Sequence, residues 1–204
     1  MSAQDIETTV LDQINWDKVS DIIKNVEPKE FFVEEAFFFP TDRNRTEDKS
    51  TELYAKKTEI MQWHSKDFPF VKECVPKHYF DKFGIKYDTA AVKINGMRPG
   101  NFSHPHIDRY NGFKQKTNPG KGIKAVKRVW VAITNQLGHA FFLDKDTVVY
   151  GWPKGTAFVW HGTAMHSGCN AGLVNRYWMS FEGEPVDLEK FLEERSKISN
   201  GKKA

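Results

Sequence analysis

A chain of 204 residues is long enough for one well-cored domain and too short for two of comfortable size. Its 39% hydrophobic content, with 16 Phe and 6 Trp beneath 28% charged residues, is an ordinary globular composition rather than a disordered one. A net charge of +3 argues neither for nor against nucleic acid, no apolar run reaches the ~18 residues of a membrane span, and Met1-Ser2-Ala3-Gln4-Asp5 lacks the basic and apolar parts of a signal peptide. A cytoplasmic protein is expected, with Cys74 and Cys169 reduced.

From Asp5 to Val26 apolar residues recur at three- and four-residue steps, interrupted near Asn15-Trp16-Asp17, which predicts two short helices. Pro28 ends that pattern, and Phe31 to Phe39 reads as a strand or an aromatic packing segment. A helix is predicted over Thr51 to Trp63, and a short one over Pro76 to Phe83 with Gly84 as its stop. After Tyr87 the period changes from helical to alternating. Strands are predicted over Thr89–Asn95, Phe102–Asp108, Val129–Thr134, Ala140–Leu143, Thr147–Tyr150, Thr156–Trp160, His166–Cys169 and Asn175–Phe181. Eight short strands with Gly-, Pro- and Asn-rich turns predict a mainly β fold with flanking helices, the double-stranded β-helix or jelly roll. Residues 1–87 are expected to form a helical and strand region packed on a core at 88–183, with a C-terminal helix and tail at 184–204, all in one domain.

The chemistry concentrates in His104-Pro105-His106-Ile107-Asp108. His106 and Asp108 are two apart, so on a strand they leave one face and can grip one ion. His166, on a later strand, is the third candidate ligand, and Arg176 follows it by ten residues. Two imidazoles and one carboxylate leave open positions on an octahedral ion, the arrangement of non-haem Fe(II) oxygenases, and an arginine supplies a fork for the far carboxylate of an organic acid. Ser180 shares the face of Arg176 by alternation, as does Trp178, and could add a hydroxyl to that carboxylate. His104 and His106 are also two apart, but the glutamate that a His-x-His site needs next is missing from Arg109-Tyr110-Asn111. His139 and His161 read as core or rim histidines, and Arg128 as a solvated loop-edge residue.

In this order (His-x-Asp, a long gap, His, then Arg) the segment from Asp88 to Gly183 resembles the Fe(II)- and 2-oxoglutarate-dependent oxygenases. Within them it is most similar to the prolyl-hydroxylase branch, through Gly155-Thr156-Ala157-Phe158-Val159-Trp160 and Arg176-Tyr177-Trp178-Met179-Ser180. The resemblance implies that His106, Asp108 and His166 hold Fe(II), that Arg176, with Ser180, binds 2-oxoglutarate as cosubstrate, and that O2 hydroxylates a C–H bond with release of succinate and CO2. The implied substrate is an amino acid, a peptide or a small metabolite.

Arg109 to Arg128 carries seven basic residues and no acidic one, so it reads equally as a lid that draws in an anionic substrate and as a solvated connection. Nucleic acid ranks below the other substrates, because Glu182 stands where the demethylase branch carries a second arginine. Two rival readings stay open: a Zn-dependent hydrolase using the same triad, and a non-catalytic jelly-roll binding module.

Overall fold

The structure, a computed structural model, describes residues 7–33, 58–106, 126–135, 138–143, 147–159 and 166–193. Among the described residues eleven strands are arranged in two sheets, and every pairing is antiparallel. The strands are β1 (Glu7–Val10), β2 (Lys29–Val33), β3 (Thr58–His64), β4 (Ala91–Met97), β5 (Phe102–His106), β6 (Lys127–Ala132), β7 (His139–Leu143), β8 (Thr147–Tyr150), β9 (Thr156–Val159), β10 (His166–Asn170) and β11 (Arg176–Gly183). The large sheet runs β1-β9-β6-β11-β4-β3-β2, and the small one runs β5-β10-β7-β8. From β4 to β11 the chain passes back and forth between the sheets. That alternation makes the fold a double-stranded β-helix, and all eight strands predicted from the sequence are present in it.

Alternation along each strand sorts side chains between two cores. On the outer face of the large sheet, Met61, Trp63, Val92, Ile94, Val129, Val131, Met179 and Phe181 pack beneath the helices. Those helices are α1 (Trp16–Asn25), a 3-10 helix (Pro69–Cys74) and α2 (Lys77–Lys82), which contribute Val19, Ile22, Val71, Cys74, Tyr79 and Phe80. Phe80 and Phe83 meet Phe181 at 5.0 and 5.7 Å between ring centroids, a separation at which aromatic pairs attract beyond their buried area. A second cluster of Trp130, Ala132, Phe141, Trp152 and Phe158 joins the inner face of the large sheet to the small sheet, with Trp178 and Val149 packed against it. Both cysteines are free, Cys74 buried and Cys169 partly exposed, and among the described residues no helix is long and apolar enough to cross a membrane.

Two predicted helices are strands. Glu7–Val10 pairs with Thr156–Val159, and Leu11 N–H donates to Gly155 O at 2.9 Å. The β-branched run Thr8-Thr9-Val10 resists a helix, and a sheet edge rewards it. Thr58–His64 likewise pairs with both β2 and β4, burying Met61 and Trp63 at a spacing of two. The other helical expectations hold. α1 starts where the pattern broke, with Asn15 Oδ1 accepting from Lys18 N–H at 3.0 Å, and α2 gives way to Gly84 at φ 62°, the left-handed conformation that favours glycine at helix ends. Residues 188–193 are helical, as expected for the C-terminal stretch. The expected strand beyond Val33 and the basic loop at 109–125 lie outside the described residues.

Candidate functional site

β5 is an edge strand of the small sheet and contains Pro105, which has no N–H to give to a ladder. The β5–β10 register accordingly shifts between His166 and Gly168, so the strand is bulged there. Beyond the bulge, His106 and His166 are register partners. The sheet therefore joins two candidate ligands that are far apart in sequence. His166 is 7% exposed, and its ring lies 5.9 Å from that of Phe141. Asp108 and His161 fall outside the described residues, as do the side chains of His104 and His106. Among the described residues no three His, Cys, Asp or Glu side chains gather for a metal.

Arg176 opens β11 and is 2% exposed. Its Nη1 donates to Ala140 O at 2.8 Å and to Cys169 O at 3.0 Å, while its Nε has no partner among the described residues. Trp130, Trp152 and Trp178 surround the guanidinium carbon at 5.3, 5.5 and 5.2 Å, each within cation–π range. Burial pushes its pKa down to about 10, opposed by the nearby Cys169, so at neutral pH the group remains a cation. Among the described residues no carboxylate accompanies it. Gly168 makes room for it, since a Cβ there would stand 2.7 Å from Nη1. A buried cation left to ring faces and carbonyl oxygens is costly, and a carboxylate on its unpartnered Nε side would relieve that cost. The residues present therefore fit a carboxylate group.

Ser180, four residues on, is 4% exposed on the same inner face. Glu182, at the next inward position, is 3% exposed, with Oε1 held by Lys93 at 2.5 Å and Oε2 by Arg128 Nε at 2.7 Å. Burial alone would raise this carboxyl, but the Arg128 and Lys93 cations outweigh it and hold the pKa at about 2. Arg128 is thus a partly buried member of β6 and not a solvated loop residue. His139 is a core histidine, 2% exposed, with Nδ1 3.2 Å from Thr134 Oγ1 and a pKa lowered by burial and by Arg176. Sequence reasoning missed Trp130, Trp152 and Gly168 as surroundings of Arg176. Their separation in the chain leaves no local signal, although Trp130 and Trp178 do sit at alternating inward positions.

No protein-family model and no curated protein matches this chain. Solved structures do. A crystal structure described as an oxidoreductase of the 2OG-Fe(II) oxygenase family, from Burkholderia pseudomallei, is similar over 91% of this chain and 89% of its own, at 11% identity and a TM-score of 0.52. A cupin 2 conserved barrel domain protein from Salinispora arenicola covers 52% of this chain and 72% of its own, at 11% identity and a TM-score of 0.32. A protein with a double-stranded beta-helix domain from Klebsiella pneumoniae covers 48% and 70%, at 12% identity and a TM-score of 0.35. At 11% identity the first of these likenesses is one of fold, in agreement with the double-stranded β-helix that the strand order gives.

Proposed function

We propose that the protein is a non-haem Fe(II)- and 2-oxoglutarate-dependent dioxygenase that hydroxylates a C–H bond of an amino acid, a peptide or a small metabolite. The observation that carries this reading is Arg176, a buried cation with an unpartnered Nε and no acidic companion among the described residues. It is joined by the shared register position of His106 and His166. A zinc hydrolase would use the histidines but leave the burial of Arg176 without a cause. The likeness to a 2OG-Fe(II) oxygenase over nine-tenths of the chain is in keeping with the proposal.

His106, Asp108 and His166 would hold the metal, which with 2-oxoglutarate and O2 supplies the oxidising power for C–H hydroxylation. Arg176 binds and orients the cosubstrate by its far carboxylate. Its side chain is fixed by two carbonyl oxygens and three indoles, so little conformational entropy is lost when the acid arrives. Ser180 adds a hydroxyl on the same face. The indoles also keep water from the guanidinium, which strengthens its hold on an anion.

Anaerobic titration of the full chain with Fe(II) and 2-oxoglutarate tests this through the weak metal-to-ligand charge-transfer band in visible light. The band is expected in the native protein, and Arg176→Ala should weaken 2-oxoglutarate binding by about thirtyfold or more, as for a charge pair losing one partner. Succinate release should vanish in His166→Ala. A well-folded native protein that gives no band would refute the proposal.

A further inference from the structure

Away from the Arg176 box, the inner face of the large sheet carries polar residues that the proposed reaction does not use. Register fixes their face, because His64 pairs with Lys93, Gln62 with Asn95, and Lys93 with Ser180, while Trp63, Val92, Ile94 and Met179 lie in the helix-side core. β5, the strand of His106, packs across β3. This polar floor therefore lies on the side of the fold where the candidate metal strand runs.

Its hydrogen bonding is lopsided. Asn95 is 5% exposed and uses Oδ1 to accept from Gln62 Nε2 at 2.8 Å, which leaves Nδ2 without an acceptor among the described residues. Lys93 Nζ donates to Glu182 and has no other acceptor among them. His64 Nδ1 accepts the backbone N–H of Lys66 at 2.9 Å, so the neutral ring carries its proton on Nε2. Burial, aided by the Lys93 charge, pushes its pKa down to about 4, and the ring is neutral at physiological pH. Glu182 is already engaged through both oxygens. Three donors on one face thus have room for a further acceptor: the amide of the buried Asn95 and the partly exposed Lys93 and His64. One anion would meet them together. His64 also lines a surface depression of about 290 Å³ that carries Lys66 and Lys72, a basic approach to the same residue.

We propose that Lys93, Asn95 and His64 form a subsite for a carboxylate of the primary substrate, separate from the cosubstrate's place at Arg176. Lys93 supplies the charge, Glu182 holds Lys93 in position, and the Asn95 amide and His64 ring supply direction. Naming the ligand as the primary substrate rests on the oxygenase reading, whereas the anion subsite does not.

Sodium acetate is the probe, with thermal unfolding of the full chain followed at constant ionic strength without iron or 2-oxoglutarate. Acetate should raise the unfolding midpoint of the native protein. That rise should be lost or clearly reduced in Lys93→Met and also in Asn95→Ala, a variant that retains the Lys93–Glu182 pair and so guards against misfolding of the first. An equal rise in all three proteins would overturn the subsite. In the Fe(II) and 2-oxoglutarate titration, Lys93→Met should bind 2-oxoglutarate within about threefold of the native protein; a loss of about tenfold or more, equal to about 1.4 kcal/mol, would assign the donors to the cosubstrate and overturn the proposal. A Lys93-dependent acetate response in a protein without the charge-transfer band would uphold the anion subsite and remove the oxygenase reading alone.

Discussion

Single residues on the inner face of the large sheet set how this protein responds to pH. The folded-state pKa of Glu182 is about 2 against an ordinary 4.5, so its stabilising contribution is full above pH 4.5 and is lost as the pH falls toward 2. His64 is held neutral in the fold, with a pKa of about 4 against 6.5, and its contribution is present above pH 6.5 and lost on the way down to 4. Urea unfolding across pH should therefore show an upper and a lower step, with His64→Gln removing the upper and Glu182→Gln the lower. Glu182→Gln should also lower stability at neutral pH by about 3–5 kcal/mol, because it leaves Lys93 and Arg128 beside a neutral amide; a change below about 1 kcal/mol would show the cluster to be no stronger than a surface pair. Gly168→Ala tests the Arg176 box from its opposite wall. The added Cβ meets a guanidinium held by three indoles and two carbonyl oxygens, which cannot swing aside, so 2-oxoglutarate affinity should fall by about tenfold while overpacking costs about 1–3 kcal/mol. Unchanged affinity would mean that the guanidinium moves freely.

Among the elements, α1 shows how a local signal and tertiary packing divide the work. Asn15 caps it, Asp17 and Lys24 suit its dipole, and Val19 and Ile22 bury one face against the sheet. Asn15→Ala should cost about 1 kcal/mol in urea unfolding, with the fold unchanged. A cost near zero would mean that packing alone holds the helix start. β5 is the opposite case, for Pro105 weakens its own strand. The resulting bulge lets the chain return to register at His106, opposite His166, where the candidate site needs it.

At the scale of the whole molecule, the chain before residue 88 is part of the fold's structure and not an appendage. It supplies β1 on one side of the large sheet and β2 and β3 on the other, together with the helices whose side chains fill the outer core. A fragment beginning at residue 88 would expose Val92, Ile94, Met179 and Phe181, each fully buried in the intact chain. Such a fragment should give no cooperative unfolding transition and poorly dispersed amide resonances. A sharply folded fragment would instead establish the eight-strand core as an independent unit.

The sequence by itself determined the eight core strands, the short helix before Gly84 and the residues on which the chemistry is proposed to rest, because period-two alternation, turn residues and the His-x-Asp, His, Arg order are all written locally. It did not determine that Thr8-Thr9-Val10 and Thr58–His64 would be strands, since their partners lie far along the chain and only pairing decides between a short helix and an edge strand. It also could not bring Trp130, Trp152 and Trp178 around Arg176, set Glu182 between Lys93 and Arg128, or place His106 opposite His166. Those are contacts between strands distant in sequence. Only sheet register and the packing of one sheet on the other decided them.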